Sequence, residues 1–235
     1  MTQATVADNL RRVREQIANA AHRAGRDAAE ITLVGVSKTH PAAVIREAFE
    51  AGLRHFGENR VQEWEGKRGE LGDLNATWHL VGHLQSNKAA KAANLFTTID
   101  AVDDLALAER LDRAWVASAD GKRKRILIEV QLGDEASKSG ILPAELPKLA
   151  ELIMPLAHVD LAGLMCIPPY LENPEQVRPY FGQLRSLRDE LETRLKKKLS
   201  VLSMGMSHDF EAAIQEGATE VRVGTALFGT RLPRH

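Results

Sequence analysis

Residues 31–57 read ITLVGVSKTHPAAVIREAFEAGLRHFG, and the order of residue types in this stretch decides the fold class. A β-branched run, 31–36, leads through Thr39-His40-Pro41 into AAVIREAFEA, which has helical apolar spacing; Gly52 and a second short run ending at Gly57 follow. Pro41 suits a first helical position, where its missing N–H costs nothing, and Gly52 suits the residue that ends a helix. The stretch is a strand–helix–strand unit, the building block of a parallel sheet.

The same grammar recurs at the other end of the chain, where DFEAAIQEGATEVRVG (209–224) runs helix, Gly217, strand, Gly224. Between these ends the alternation predicts eight strands at 31–36, 54–57, 78–82, 97–100, 125–132, 159–165, 199–203 and 220–223. Eight alternations with no Pro/Gly/Ser-rich linker predict one α/β domain over residues 1–235, a (β/α)8 barrel of the TIM type. An open doubly wound sheet is the alternative, but the first strand lacks the G-x-G-x-x-G turn that a dinucleotide fold requires. Residues 1–25 carry Val6, Leu10, Val13, Ile17 and Ala20 at helical spacing, interrupted by acids; they predict an extra amphipathic helix packed on the barrel, not a leader.

Lys plus Arg number 31 against 32 Asp plus Glu, so a net charge of −1 gives no footprint for nucleic acid or a membrane surface. The charge-dense segment 185–198 keeps leucines at 184, 187, 191 and 195, one helical face, and reads as a solvated helix. No run approaches the length of about 18 apolar residues that a spanning helix needs, so a soluble cytoplasmic protein is expected, and a monomer, with no apolar stripe to pair. A single cysteine, Cys166, excludes an internal disulfide and a cysteine-only metal site; it reads as a small buried hydrophobe, and no metal is expected.

In such a barrel the chemistry sits at the C-terminal ends of the strands. Lys38 follows the first strand with the parity of Val34 and Val36, which aims its amine at the mouth; the alternative is a snorkelling surface lysine. An amine among apolar walls loses hydration, is more readily neutral, and becomes a nucleophile for an aldehyde. Loops after the last two strands of these barrels often bind phosphate. Here they read Ser203-Met204-Gly205-Met206-Ser207 and Gly224-Thr225-Ala226, glycines with hydroxyls, although Ser207 also suits a plain helix N-cap. Arg222 opposes Val221 and Val223 and is expected to point inward, toward a ligand ring nitrogen or phosphate, or else toward a neighbouring acid.

An aldehyde-reactive lysine, a phosphate cradle and an inward arginine describe a site for pyridoxal 5'-phosphate; a cofactor-free Schiff-base aldolase acting on a phosphorylated sugar fits the lysine and cradle equally well. The motifs Val36-Ser37-Lys38-Thr39, Phe56-Gly57-Glu58-Asn59 with Val61-Gln62-Glu63, Trp78–Gly82 with Leu84–Lys88, Lys138-Ser139-Gly140, Leu202–Ser207 and Val221–Gly229 separate these readings. Together they resemble the pyridoxal phosphate homeostasis proteins, from about Leu10 to Arg231.

The resemblance implies a barrel similar to the N-terminal domain of alanine racemase, with the cofactor held as a Schiff base on Lys38. It implies Arg222 opposite the pyridine nitrogen, and Ser203, Gly224 and Thr225, with Met204 and Gly205, around the phosphate. Asn59 is placed near the cofactor's phenolic edge, or caps its loop. No role transfers to His79, His83 or Lys138-Ser139-Gly140. The implied function is to bind, buffer and deliver the cofactor to apo-enzymes through transient contacts. The alternative is a weak racemase or transaminase, which needs a second acid/base opposite Lys38; the chain's two tyrosines, Tyr170 and Tyr180, do not evidently supply it.

Overall fold

A computed structural model describes residues 4–116, 121–133 and 139–229. The chain opens with helix α1 (Val6–Arg23), followed by strand β1 (Thr32–Val36), α2 (Ala42–Glu50), β2 (His55–Glu58), α3 (Val61–Leu71) and β3 (Thr77–Leu80). Next come α4 (Ala89–Leu95), β4 (Thr98–Val102), α5 (Leu105–Trp115), β5 (Lys124–Glu129), α6 (Leu146–Ile153) and β6 (Val159–Met165). The chain closes with α7 (Arg178–Leu195), β7 (Val201–Ser203), α8 (Phe210–Gln215), β8 (Glu220–Val223) and α9 (Thr225–Phe228). All strand pairs are parallel, and β8 returns to pair with β1, so the sheet is a closed eight-stranded barrel. The expected (β/α)8 architecture and all eight strands are present, and the open-sheet alternative is excluded by that closure.

Alternation along each strand divides the core in two. One set of residues, Phe56, Leu80, Ile99, Ile126, Leu202 and Val221 among them, packs under the helices. The other faces the barrel interior, where Ala101, Leu127 and Met165 form a small cluster with Ala162 and Val201 against it. Helix α3 docks through Trp64, stacked on Trp78 of β3 with ring centroids 3.6 Å apart, and the Trp64 indole N–H donates to Leu95 O at 2.8 Å. Such a pair contributes about 1 kcal/mol beyond the area it buries.

Helix α1 begins at the capping box Thr5-x-x-Asp8, in which each side chain serves the other's backbone N–H. Its buried stripe is Leu10, Val13, Ile17, Ala20 and Ala21, the periodic face expected from the sequence. Asn9 donates to Leu227 O and Arg14 to Gly52 O, tying α1 across the seam where β8 meets β1. Leu184 and Leu191 are buried and Leu187 and Leu195 half-buried on α7, whose charged remainder is solvated as anticipated. No described helix is long and apolar enough to cross a membrane.

Candidate functional site

The C-terminal ends of β1, β7 and β8 meet on one side of the barrel mouth. Lys38 stands two residues past β1, part-buried. The turn after β8 presses against this end, for a Cβ at Gly224 would lie 3.3 Å from Val36 O. The two loops that the sequence assigns to phosphate binding are therefore brought to the strand that carries Lys38.

Arg222 lies inside the barrel at 4% exposure, as its strand parity requires. Its Nη1 donates to Ser203 Oγ and its Nη2 to Cys166 O, both at 2.7 Å. Both acceptors are neutral, so these two nitrogens are not held by an acid. The carboxyls whose charges reach Arg222 are Glu129, ending β5, and Asp209, before α8. Burial pushes both above their ordinary values; the Ser139 hydroxyl on Glu129 and the Met206 N–H on Asp209, and after them the guanidinium, draw them only part of the way back. Cys166 is fully buried, and its thiol is pushed by that burial up to about 12, which makes it an inert hydrophobe as expected.

The cradle is built from backbone N–H groups. Gly224 and Ala226 both donate to Ser207 Oγ at 3.2 Å, so two amides converge on one oxygen at the start of α9, where Thr225 is exposed. Ser207 is thus not the cap of the helix that follows it; Asp209 precedes α8, and its carboxylate accepts from Met206 N at 2.6 Å. Gly205 adopts φ +93°, and a Cβ there would fall 2.6 Å from Ala213 Cβ, so only glycine lets this loop lie flat on α8. Gly205 O accepts Arg222 N at 2.9 Å, locking the loop to β8.

Among the other expected residues, Ser203 is buried with its hydroxyl on Arg222 rather than at the cradle. Met204 sends its side chain into the helix-side core and its N–H to Glu220 O, which leaves its carbonyl as its one polar group at the loop. Asn59 follows β2 with the inward parity of His55 and Gly57, one strand from Lys38. His83 is exposed, 3.5 Å from Asp103, and Lys138 lies outside the described residues. The Ser139 hydroxyl donates to Glu129 Oε1 at 3.0 Å, which gives part of the Lys138-Ser139-Gly140 motif a contact at the mouth.

Residues 8–232 match the family described as alanine racemase, N-terminal domain. Over 224 residues the chain is 48% identical to the pyridoxal phosphate homeostasis protein of Aquifex aeolicus strain VF5, covering 95% of this chain and 97% of that one. The chain belongs to the pyridoxal phosphate homeostasis protein family. It is also similar to the solved structures of PipY from Synechococcus elongatus PCC7942: 43% identity, 96% of this chain and 100% of that one, with TM-scores of 0.85 without PLP and 0.84 with PLP bound. The family resemblance carried by the motifs is borne out.

Below the mouth, this family member carries a polar layer that the sequence reading did not anticipate. His79 is fully buried, its Nδ1 2.8 Å from Asp100 Oδ2 and its Nε2 3.0 Å from His55 Nδ1. Arg125 reaches Glu220 at 2.5 Å and lies 3.6 Å from Asp100. Donor atoms of His79, Asp100 and Glu220 lie within 4.8 Å of one another, but the Arg125 guanidinium already balances these acids. His79 is thus a core histidine. The available signal was polar residues two apart in otherwise apolar strands, such as Glu220 and Arg222 in β8.

This layer makes stability depend on pH. Burial, then His79, lowers the His55 pKa from the ordinary 6.5. Its contribution is complete above about pH 6.5 and is lost as pH falls toward the folded value, because the unfolded chain takes up the proton first. Desolvation pushes Asp100 up but is outweighed by His79 and Arg125, so its pKa lies below the ordinary 3.8 and its contribution is lost only in stronger acid. A His55→Gln protein should show a melting temperature that falls less than the wild type's on acidification below pH 6.5. Parallel curves would exclude His55 as the group responsible.

Proposed function

We propose that this chain binds pyridoxal 5'-phosphate at the barrel mouth, holds it reversibly through Lys38, and buffers and delivers it to apo-enzymes as a single-domain, cytoplasmic monomer. The observation that carries the reading is the convergence of the Gly224 and Ala226 amides on one oxygen beside the end of β1, with buried Arg222 in the same wall. Convergent amides at a glycine turn fit a phosphate, and a lysine one strand away fits an aldehyde. Membership in a family with a PLP-bound structure supports the same reading.

In this reading Gly205, Ser207, Gly224 and Thr225 hold the phosphate, with Ser203 and Met204 supporting the loop, and Asn59 orients the far edge of the ring. When bound, the cofactor supplies an aldehyde carbon to which the lysine nitrogen bonds while the carbonyl oxygen leaves as water. A guanidinium has only donors, so Arg222 would disfavour a proton on a ring nitrogen set against it, and the bound ring would be a weak electron sink. That favours storage over catalysis. Transient contact with recipient enzymes follows from the need to unload.

Protein loaded with cofactor, desalted and mixed with a cofactor-free PLP enzyme tests the proposal. The enzyme should regain activity, and the free aldehyde concentration should stay below that of an equal dose of unbound cofactor. Loss of all cofactor on desalting would overturn it.

One observation favours a second, weakly catalytic reading. Glu129 ends β5, opposite β1 in the eight-stranded barrel, and its buried Oε2 has no hydrogen-bond partner among the described residues. Burial raises its pKa above the ordinary value, so this carboxyl takes up a proton more readily than an exposed one, whereas Tyr170 is 72% exposed. An amino-acid racemisation rate that Glu129→Gln abolishes would support this reading.

A further inference from the structure

We propose that Lys67, on α3, is the positioning residue of this site: from behind β1 it fixes the backbone on both sides of Lys38 and so presents the Lys38 amine to the mouth. The inference rests on the assignment of Lys38 as the reactive amine. Lys67 Nζ lies 3.0 Å from Ser37 O, 2.9 Å from Glu58 Oε1 and 2.9 Å from Glu63 Oε1. Three acceptors use all three donors of an ammonium. The same two carboxylate oxygens reach the chain next to Lys38, for Glu58 Oε1 accepts from Ser37 Oγ at 2.8 Å and Glu63 Oε1 accepts from Thr39 N.

Ser37 is therefore held at its carbonyl and hydroxyl, and Thr39 at its N–H, with Lys38 between them. Thr39 has φ +68°, the left-handed region, which a threonine adopts only when its surroundings impose it. Glu58 is fully buried and Lys67 is 13% exposed, on the helix side of the sheet. By strand alternation Lys38 takes the other side, with Val34 and Val36, so Lys67 acts on it without approaching a ligand. Buried ion clusters of this kind are poor sources of stability compared with apolar packing, and a defined geometry is what they supply in its place.

The test follows two reactions of Lys38 in Lys67→Met and Glu63→Gln proteins. In cofactor-free protein, acetylation of Lys38 by an activated acetate ester is read by peptide mass against exposed Lys148. In Lys67→Met it should slow by about threefold or more, and its pH profile should move upward, because two carboxylates lose their cation. With added pyridoxal 5'-phosphate, borohydride trapping at Lys38 should slow by about tenfold or more, the scale on which misplaced reacting groups lose rate. Glu63→Gln, which keeps an acceptor for Lys67 and Thr39, should recover most of the trapping rate. A folded Lys67→Met protein with wild-type acetylation and trapping would overturn the proposal. If Lys67→Met does not fold, Glu63→Ala, which removes the acceptor shared by Lys67 and Thr39, decides, and wild-type trapping at Lys38 in that protein overturns the proposal. Altered acetylation with no trapping at Lys38 in wild type would instead refute the cofactor assignment and leave the positioning role standing.

Discussion

Lys38→Ala protein should lose the visible absorbance that wild type gains with pyridoxal 5'-phosphate, while equilibrium dialysis still detects weaker retention of the cofactor. The two effects separate because they depend on different residues. The lysine nitrogen makes the covalent bond, whereas the amides of Gly224 and Ala226 that meet at Ser207 Oγ remain in place. Loss of the bond should weaken apparent affinity by about tenfold at least, equivalent to ~1.4 kcal/mol. Phosphate should compete for what retention is left. An unchanged absorbance band in the mutant would remove Lys38 from the site.

Arg222→Met should markedly destabilise the folded protein. The methionine keeps the apolar stem but leaves the Ser203 hydroxyl and the Cys166 carbonyl, each 2.7 Å from a guanidinium nitrogen, without their donor. Hydrogen bonds to a charged group contribute about 1.5–3 kcal/mol each, so a net loss of about 3 kcal/mol in unfolding free energy is expected. For a chain of this size that lowers the melting temperature by about 6–12 °C. Arg222→Lys should recover only part of this, because an ammonium cannot span both acceptors with a planar fork. Glu129 and Asp209, already pushed up by burial, would rise further without the arginine's charge. Denaturant unfolding checks the first effect. A midpoint shift equivalent to less than about 1 kcal/mol would mean that the interior tolerates loss of its cation.

Strand alternation with glycine and proline punctuation was enough to read the barrel from residues 31–57 and 209–224. Its strands agree with the structure to within a few residues, and 159–165 and 220–223 agree at both ends. Arg222 was legible because Val221 and Val223 fix its parity, and it is found buried in the barrel; the same argument from Val34 and Val36 is what the proposal for Lys38 rests on.

What was not legible is what depends on neighbours distant in sequence. Ser203 faces Arg222, and Ser207 serves the turn after β8 instead of its own helix, because β7 and β8 are adjacent in space. The cluster of Ser37, Glu58, Glu63 and Lys67 joins the residue after β1 to β2 and α3, and only its Glu63–Lys67 pair, four residues apart on α3, left a sequence signal. The layer of His55, His79, Asp100, Arg125 and Glu220 draws one residue from each of five strands, each unremarkable until the barrel closes.

The most direct test of the central claim is borohydride reduction of the wild-type protein after incubation with pyridoxal 5'-phosphate, followed by peptide mass mapping. A pyridoxyl group fixed on Lys38 and absent from the remaining lysines at stoichiometric cofactor is the predicted result. No adduct at Lys38 under excess cofactor, or an adduct spread over surface lysines, would contradict it and return the mouth to another phosphorylated ligand.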